Sequence, residues 1–325
     1  MYDQYDVSED DWIGAKHRSM TRISSVEDLE LNEGNVWLEP FIIDACVLRN
    51  DEFVNIPRGV DRVFYISERL ADTSITVAND SKMKFREWFT NHRLQPDMYL
   101  RDLHVNRSVN GFKLFNTPVI FPDWLSEYYA NHQPDQSRPV LDFQFLYWGS
   151  KGSKTPFHRD VIGTFSWSHN LHGRKKWKFF LSGNEVIECV QNVGETVFVP
   201  SQCYHVVENE AEDTISVNQN WINEHNIHLV AQQLAEDSDK VREDLIAFGG
   251  YEDTDELAES IENIVWANNA LNLSNLLRII EFAIRRRLQQ GISPTARKNI
   301  QIALECIQKR YPNHELYAHI KKQLE

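Results

Sequence analysis

The sequence is poor in cysteine, and none of its four thiols is paired by spacing. Cys46, Cys189, Cys203 and Cys306 in 325 residues form neither a C-x-x-C zinc signature nor a crowded disulfide framework. Reduced thiols in a cytoplasmic or nuclear compartment are therefore expected. No run of eighteen apolar residues occurs, so no membrane-spanning helix is expected. The acidic opening from Met1 to Asp11 has no secretory pattern. Net basic charge is also missing. The 34 Lys and Arg against 48 Asp and Glu give a formal charge of −14, whereas a nucleic-acid footprint needs concentrated basic surface. Neither nucleic acid nor membrane is an expected partner.

What is present is a large apolar fraction, 42% of residues, enough for a substantial core. Residues 1–34 read as an acidic, weakly ordered lead. Residues 35–225 read as a catalytic domain that begins with a mixed α/β flank and becomes strand-rich from 141 to 223. Residues 226–325 read as a helical region. In that region Leu273, Leu276, Leu277, Ile280, Ala283, Ile284 and Leu288 make one apolar stripe ended by Gly291. Ser293 and Pro294 have the sequence of a helix start. The stripe either packs on the adjacent domain or makes a homodimer or docking face. The predicted class is thus α+β.

The strand-rich part carries the chemistry. His158-Arg-Asp160 is the one His-x-acid pair, where composition alone gives about 1.8, so the pair by itself proves nothing. Its surroundings matter more. Leu141-Asp-Phe-Gln-Phe-Leu-Tyr-Trp148 is aromatic and alternating, Gly149 to Gly152 reads as a turn, and Thr155-Pro-Phe-His158-Arg-Asp160 resumes extended structure. Alternation along a strand puts His158 and Asp160 on one face, where they can grip one ion.

Arg174-Lys-Lys-Trp-Lys-Phe-Phe-Leu181 has a period of two, with Lys175, Trp177 and Phe179 on one face and Lys176, Lys178 and Phe180 on the other. A lysine that turns inward with two large aromatics needs an anion. A ligand carboxylate would serve, and a lysine snorkelling at a strand end is the alternative. The run Gly194-Glu-Thr-Val-Phe-Val-Pro200 leads into His205, 45 residues after Asp160, with room for intervening strands. A lone strand histidine is usually only packed; the company of His158, Asp160 and Lys175 favours a ligand. Cys203 has no partner motif and reads as a small packed residue.

These residues resemble the Jumonji-C family of iron and 2-oxoglutarate oxygenases. The resemblance rests on Tyr99-Leu-Arg-Asp-Leu-His104, Thr155-Pro-x-His158-x-Asp160, Gly173-Arg-Lys175-Lys-Trp177, the Gly194–Pro200 run before His205, and Val217-Asn218, and it covers about 58% of the chain, from Asn35 to Asn223. Within the family the chain is most similar to the lysyl hydroxylases of the eukaryotic translation release factor. That similarity is carried by Ser166-Trp-Ser-x-Asn170, Asp123-Trp-Leu-x-Glu-Tyr128 and Asn218-x-Asn-Trp221.

The resemblance implies a double-stranded β-helix, a jelly-roll or cupin-like barrel. It also implies Fe(II) held by His158, Asp160 and His205, with 2-oxoglutarate and O2 as cosubstrates. Tyr99, Thr155 and Lys175 match positions that hold the distal carboxylate of 2-oxoglutarate, and Asn218 matches one near its metal-bound end. Ser166 falls where many members carry asparagine and is a weaker cofactor contact. Two imidazoles and one carboxylate leave three open positions on the iron, room for a bidentate keto acid and oxygen. The implied activity is hydroxylation of a lysine-bearing segment of a release factor. Demethylation of N-methyl-lysine and a non-catalytic binding module on the same fold are the alternatives.

Overall fold

The computed structural model describes residues 7–25, 27–28, 36–77, 80–95, 98–108, 111–132, 143–249, 255–287, 291–311 and 315–324. Its centre is eight consecutive strands, Gln144–Gly149 (β7), Lys154–His158 (β8), Phe165–His172 (β9), Lys175–Leu181 (β10), Glu185–Gln191 (β11), Thr196–Val199 (β12), Tyr204–Asn209 (β13) and Thr214–Trp221 (β14). They divide between two sheets. One sheet runs β11-β10-β13-β8 and the other β12-β9-β14-β7. Every pairing among these eight is antiparallel. Alternation between two antiparallel sheets makes this the expected cupin-like jelly roll, an α+β fold once the helices are added.

Earlier strands lengthen both sheets. Lys16–Ser19 (β1) adds in parallel to β11, and Thr21–Ile23 (β2) pairs with Phe41–Ile43 (β3), which joins β12. Leu100–Leu103 (β6) closes the far edge beside β7. The lead that reads as weakly ordered thus supplies an edge strand to each sheet. It also supplies Trp12, whose ring meets Phe180 at 5.3 Å and Phe157 at 6.0 Å on the outer side of β10 and β8. Phe180, on the face that alternation turns toward solvent, is buried by this cover.

In β9 and β14 the usual polarity is inverted. Trp167, Leu171, Val217 and Trp221 point out of the barrel into a core shared with the α/β flank, while Ser166, Ser168, Ser216 and Asn218 alternate with them. A polar inner wall is expensive unless something polar uses it. Trp177, Phe179, Val197 and Val207 close the barrel interior at one end with a smaller apolar cluster.

The flank contains helices Arg62–Leu70 (α1) and Phe85–Asn91 (α2), with the hairpin Ser74–Thr76 (β4) and Lys82–Lys84 (β5) between them. The stretch 81–91, helical by its pattern, therefore starts as a strand, because Lys82–Lys84 finds a partner in β4. Of the expected strand 141–148, residues 141 and 142 lie outside the described residues. Helix Trp124–Asn131 (α3) is capped by buried Asp123, which accepts the Leu125 and Ser126 amides and also the Ile222 amide beyond β14.

Five helices follow, Ile227–Gly249 (α4), Asp255–Asn269 (α5), Leu273–Arg287 (α6), Pro294–Gln308 (α7) and Glu315–Leu324 (α8). Ser293 caps α7, accepting from the Ala296 amide, with Pro294 in the first turn, as its sequence predicts. The α6 stripe from Leu273 to Ile284 is buried within this one chain against α3, α7 and α8, sharing a core with Trp124 of α3 and with Phe143 and Ile222, which flank the barrel strands β7 and β14. The homodimer face expected as its alternative use is therefore already covered; Leu288 lies outside the described residues. Among the described residues no helix is long and apolar enough to cross a membrane.

Candidate metal centre

Two side chains from one short motif and a third 45 residues further on meet in the barrel. The ligand atoms of His158, Asp160 and His205 all lie within 4.8 Å of one another, and among the described residues this is the one such cluster of His, Cys, Asp and Glu. Donors at about 2.1 Å from a shared ion are at most about 4.2 Å apart, so a slight closure seats one cation.

The backbone explains the convergence. His158 and His205 are register partners across β8 and β13, with ring centroids 4.1 Å apart. The pairing continues at Thr155 with Val207, so three steps on β8 oppose two on β13. Strict alternation would turn Thr155 and His158 to opposite faces. The bulge at Pro156 and Phe157 re-aims His158 onto the same side as Thr155. Pro156 suits an irregular position, since it has no ladder N–H to lose. Asp160 is not in the strand. It follows β8 with extended dihedrals, φ −65° and ψ 150°, and precedes the tight turn Val161–Gly163. The turn is held from below. A Cβ on Gly163, at φ +64°, would come within 3.2 Å of the Leu229 carbonyl oxygen of α4.

Protonation is set locally. Each histidine directs Nδ1 to a backbone carbonyl, His158 to Pro156 at 2.8 Å and His205 to Cys203 at 3.0 Å, which leaves Nε2 as the basic nitrogen. Burial, and then the charge of His158, push the His205 pKa down to about 4, so its ring is neutral at pH 7, the form that binds metal. Ser166 donates its hydroxyl to Asp160 Oδ2 at 2.6 Å, which orients the carboxylate. That bond is where the structure places Ser166, expected as a weak cosubstrate contact. Cys203 is buried, with its thiol pushed up to about 12, and is packed as expected.

Lys175 is buried to 1% exposure on β10. Its ammonium donates to Ser216 Oγ at 2.6 Å and lies 5.6 Å from the Tyr147 ring centroid, and among the described residues no carboxylate pairs with it. Burial alone moves its pKa, down to about 7. The snorkelling alternative is thereby excluded. Thr155 and Tyr99 are buried nearby; the Tyr99 hydroxyl bonds the side chains of Asn209 and Thr155, and burial raises its pKa to about 12. Asn209 is the register partner of Lys175. Asn218 is turned back on its own strand, its amide donating to the Ser216 carbonyl and hydroxyl.

Ser216, Asn209 and Tyr147 were not singled out by motif. Ser216 was within reach of the period-two argument, being two residues before Asn218 on the same face. Tyr147 donates to Asp102 Oδ1 at 2.6 Å, and proximity to Asp160 is among the causes that hold its hydroxyl well above the ordinary tyrosine range, after burial and Asp102. Gly149 is required by the same packing: a Cβ there would fall 2.6 Å from Tyr99 and from Asn209.

With two imidazoles, a carboxylate and a buried lysine assembled on a jelly roll, sequence relationships can be compared with geometry. The JmjC domain (hydroxylase) family model matches residues 181–221, the stretch that carries His205 and Asn218. The chain is 34% identical over 197 residues to the 2-oxoglutarate and iron-dependent oxygenase JMJD4 of Danio rerio, covering 50% of this chain and 45% of that protein. Over these stretches the chain is similar to the JmjC family. It is also 30% identical to the JMJD4 homolog of Drosophila melanogaster over 66% of this chain and 56% of the relative. With the arginine-specific demethylase JMJ20 of Arabidopsis thaliana it shares 33% identity over 51% and 42%. The chain spans about half the length of the curated relatives it matches.

Proposed function

We propose that this chain is an iron(II)- and 2-oxoglutarate-dependent protein hydroxylase that acts on a lysine side chain in a translation release factor. The observation that carries the chemistry is the meeting of His158, Asp160 and His205 beside Lys175, a buried cation with no carboxylate of its own among the described residues. The donor set fits iron: two neutral nitrogens and one carboxylate oxygen leave positions open for a bidentate ligand. The buried ammonium and the hydroxyl groups around it suit a dicarboxylate. Lys175 would take the distal carboxylate, with Tyr99 and Thr155 supplying hydroxyl donors, and Asn218 would meet the metal-bound end. When bound, iron and 2-oxoglutarate supply the oxidising power that puts a hydroxyl on a C–H bond of the substrate.

The residues of the chain do the rest. His158 and His205 are held by backbone carbonyls, Asp160 by Ser166, and the aromatic cluster of Trp177 and Phe179 keeps water from the closed end of the barrel. Cytoplasmic location fits such a substrate. The choice of lysine and of a release factor follows the motif resemblance to the lysyl hydroxylase branch and the identity with relatives named JMJD4.

Demethylation is the second reading, favoured by the likeness to a relative named as an arginine-specific demethylase. One incubation separates the two. Purified chain, Fe(II) and 2-oxoglutarate are offered a release-factor domain, and succinate, peptide mass and formaldehyde are followed. One added oxygen on lysine is expected, lost in His158→Ala. Formaldehyde from a methylated peptide, without hydroxylation, would assign demethylation, and no succinate with any substrate would leave the binding-module reading.

A further inference from the structure

The two histidines of the metal centre each end a tripeptide of the same plan, Pro156-Phe157-His158 closing β8 and Cys203-Tyr204-His205 running into β13. In both, the imidazole Nδ1 meets the carbonyl two residues back, at 2.8 Å for Pro156 and 3.0 Å for Cys203. The aromatic residue in the middle of each points elsewhere. Phe157 and Tyr204 stack on one another with centroids 4.8 Å apart and planes 7° apart. The ladder between β8 and β13 is interrupted here, between the Thr155–Val207 and His158–His205 pairs, so strand pairing alone does not hold Phe157. The stacked rings supply a restraint that the backbone lacks.

What covers that stack comes from the start of the chain. The Trp12 ring lies 6.0 Å from Phe157 and 6.3 Å from Tyr204, and 5.3 Å from Phe180. Phe180 is the register partner of Tyr204 and lies 5.1 Å from Phe157, so the four rings form one cluster across β8, β10 and β13. Trp12 is itself tied down on the β10–β11 hairpin. Its Nε1 donates to the Leu181 carbonyl at 2.9 Å. Three residues earlier Glu9 pairs with the Lys178 ammonium at 2.8 Å, and four residues later β1 begins its parallel pairing with β11.

We propose that Trp12 is a positioning residue for the metal centre. By clamping Phe157 and Tyr204 from outside the barrel, it sets the angle between the His158 and His205 rings, whose planes are 54° apart. Groups that orient metal ligands from outside typically raise metal affinity by about 10–100-fold. The inference rests on the metal-centre part of the proposed function and not on the choice of substrate.

Anaerobic titration of the full chain with cobalt(II), followed by its visible absorption, reads affinity and ligand geometry together. Trp12→Ala should bind cobalt about tenfold more weakly or worse, with an altered spectrum. Trp12→Phe, which keeps a ring, should recover most of both. Gly183→Ala, strained at φ +81° in the turn between β10 and β11, is the control for mere loss of stability and should bind as the parent does. Affinity and spectrum unchanged in Trp12→Ala overturn the proposal and leave the metal centre standing, and equal weakening in Gly183→Ala overturns it as well. A parent chain that binds no cobalt overturns the metal centre and the proposal with it. Should Trp12→Ala fail to fold, as circular dichroism would reveal, Trp12→Leu, apolar but without a ring, decides on the same criteria.

Discussion

At the scale of single residues, Lys175 joins sequence to function most tightly. Its amine is buried with a pKa lowered to about 7, so the folded chain sheds a proton that the unfolded chain keeps up to the ordinary lysine value of 10.5. Stability contributed through this group therefore rises with pH above 7, and burying the cation costs most below it. Dicarboxylate binding has the opposite sign, since it needs the ammonium. Affinity for 2-oxoglutarate should fall as pH rises above 7, by up to about tenfold per unit. Calorimetry over a pH series would check this, and a flat profile would contradict it. Lys175→Met should lose the affinity and its pH dependence, keep one iron per chain and melt no lower than the parent. Lys175 was legible because period two placed it with Trp177 and Phe179. Its partner Ser216 was missed because serine carries no charge to draw notice, although the same alternation points to it.

Among elements, the end of β8 decides whether a metal centre exists. Motif spacing identifies His158 and Asp160, and alternation along one strand would put both on a single face. The structure reaches the result differently, with a bulge before His158 and an extended step beyond the strand to Asp160. Bulges depend on what the partner strand pairs with, which no local pattern contains. The support under the turn comes from α4, remote in sequence. Gly163→Ala would place a side chain at a positive φ against Leu229, a strain of about 1–3 kcal/mol. It should lower the melting temperature and weaken iron binding together. Gly183→Ala, at φ +81° with open space around it, should cost stability without touching iron. Equal iron affinity in both variants would show that the turn does not position Asp160.

Across the whole molecule, the helices build a core of their own that takes in residues flanking the barrel strands. Trp124, Phe143 and Ile222 pack with Val230, Leu234 and Ile284 in a continuous cluster. The helical character of 226–325 was legible from its apolar stripes, but the surface they cover was not, because a stripe does not name its partner. A chain ending at residue 225 should therefore be insoluble or lack cooperative unfolding. A soluble, iron-binding barrel without the helices would contradict that account. The edge strands β1 and β2 were hidden for a related reason: short polar strands give little periodic signal and form by adding to sheets built later in the chain.

All of this converges on whether one cation binds where two imidazoles and a carboxylate meet. Anaerobic equilibrium dialysis against Fe(II) measures it directly. One ion per chain is predicted for the parent and for Lys175→Met, and none for His158→Ala, Asp160→Ala or His205→Ala. Iron retained in those three variants, or absent from the parent, would contradict the account.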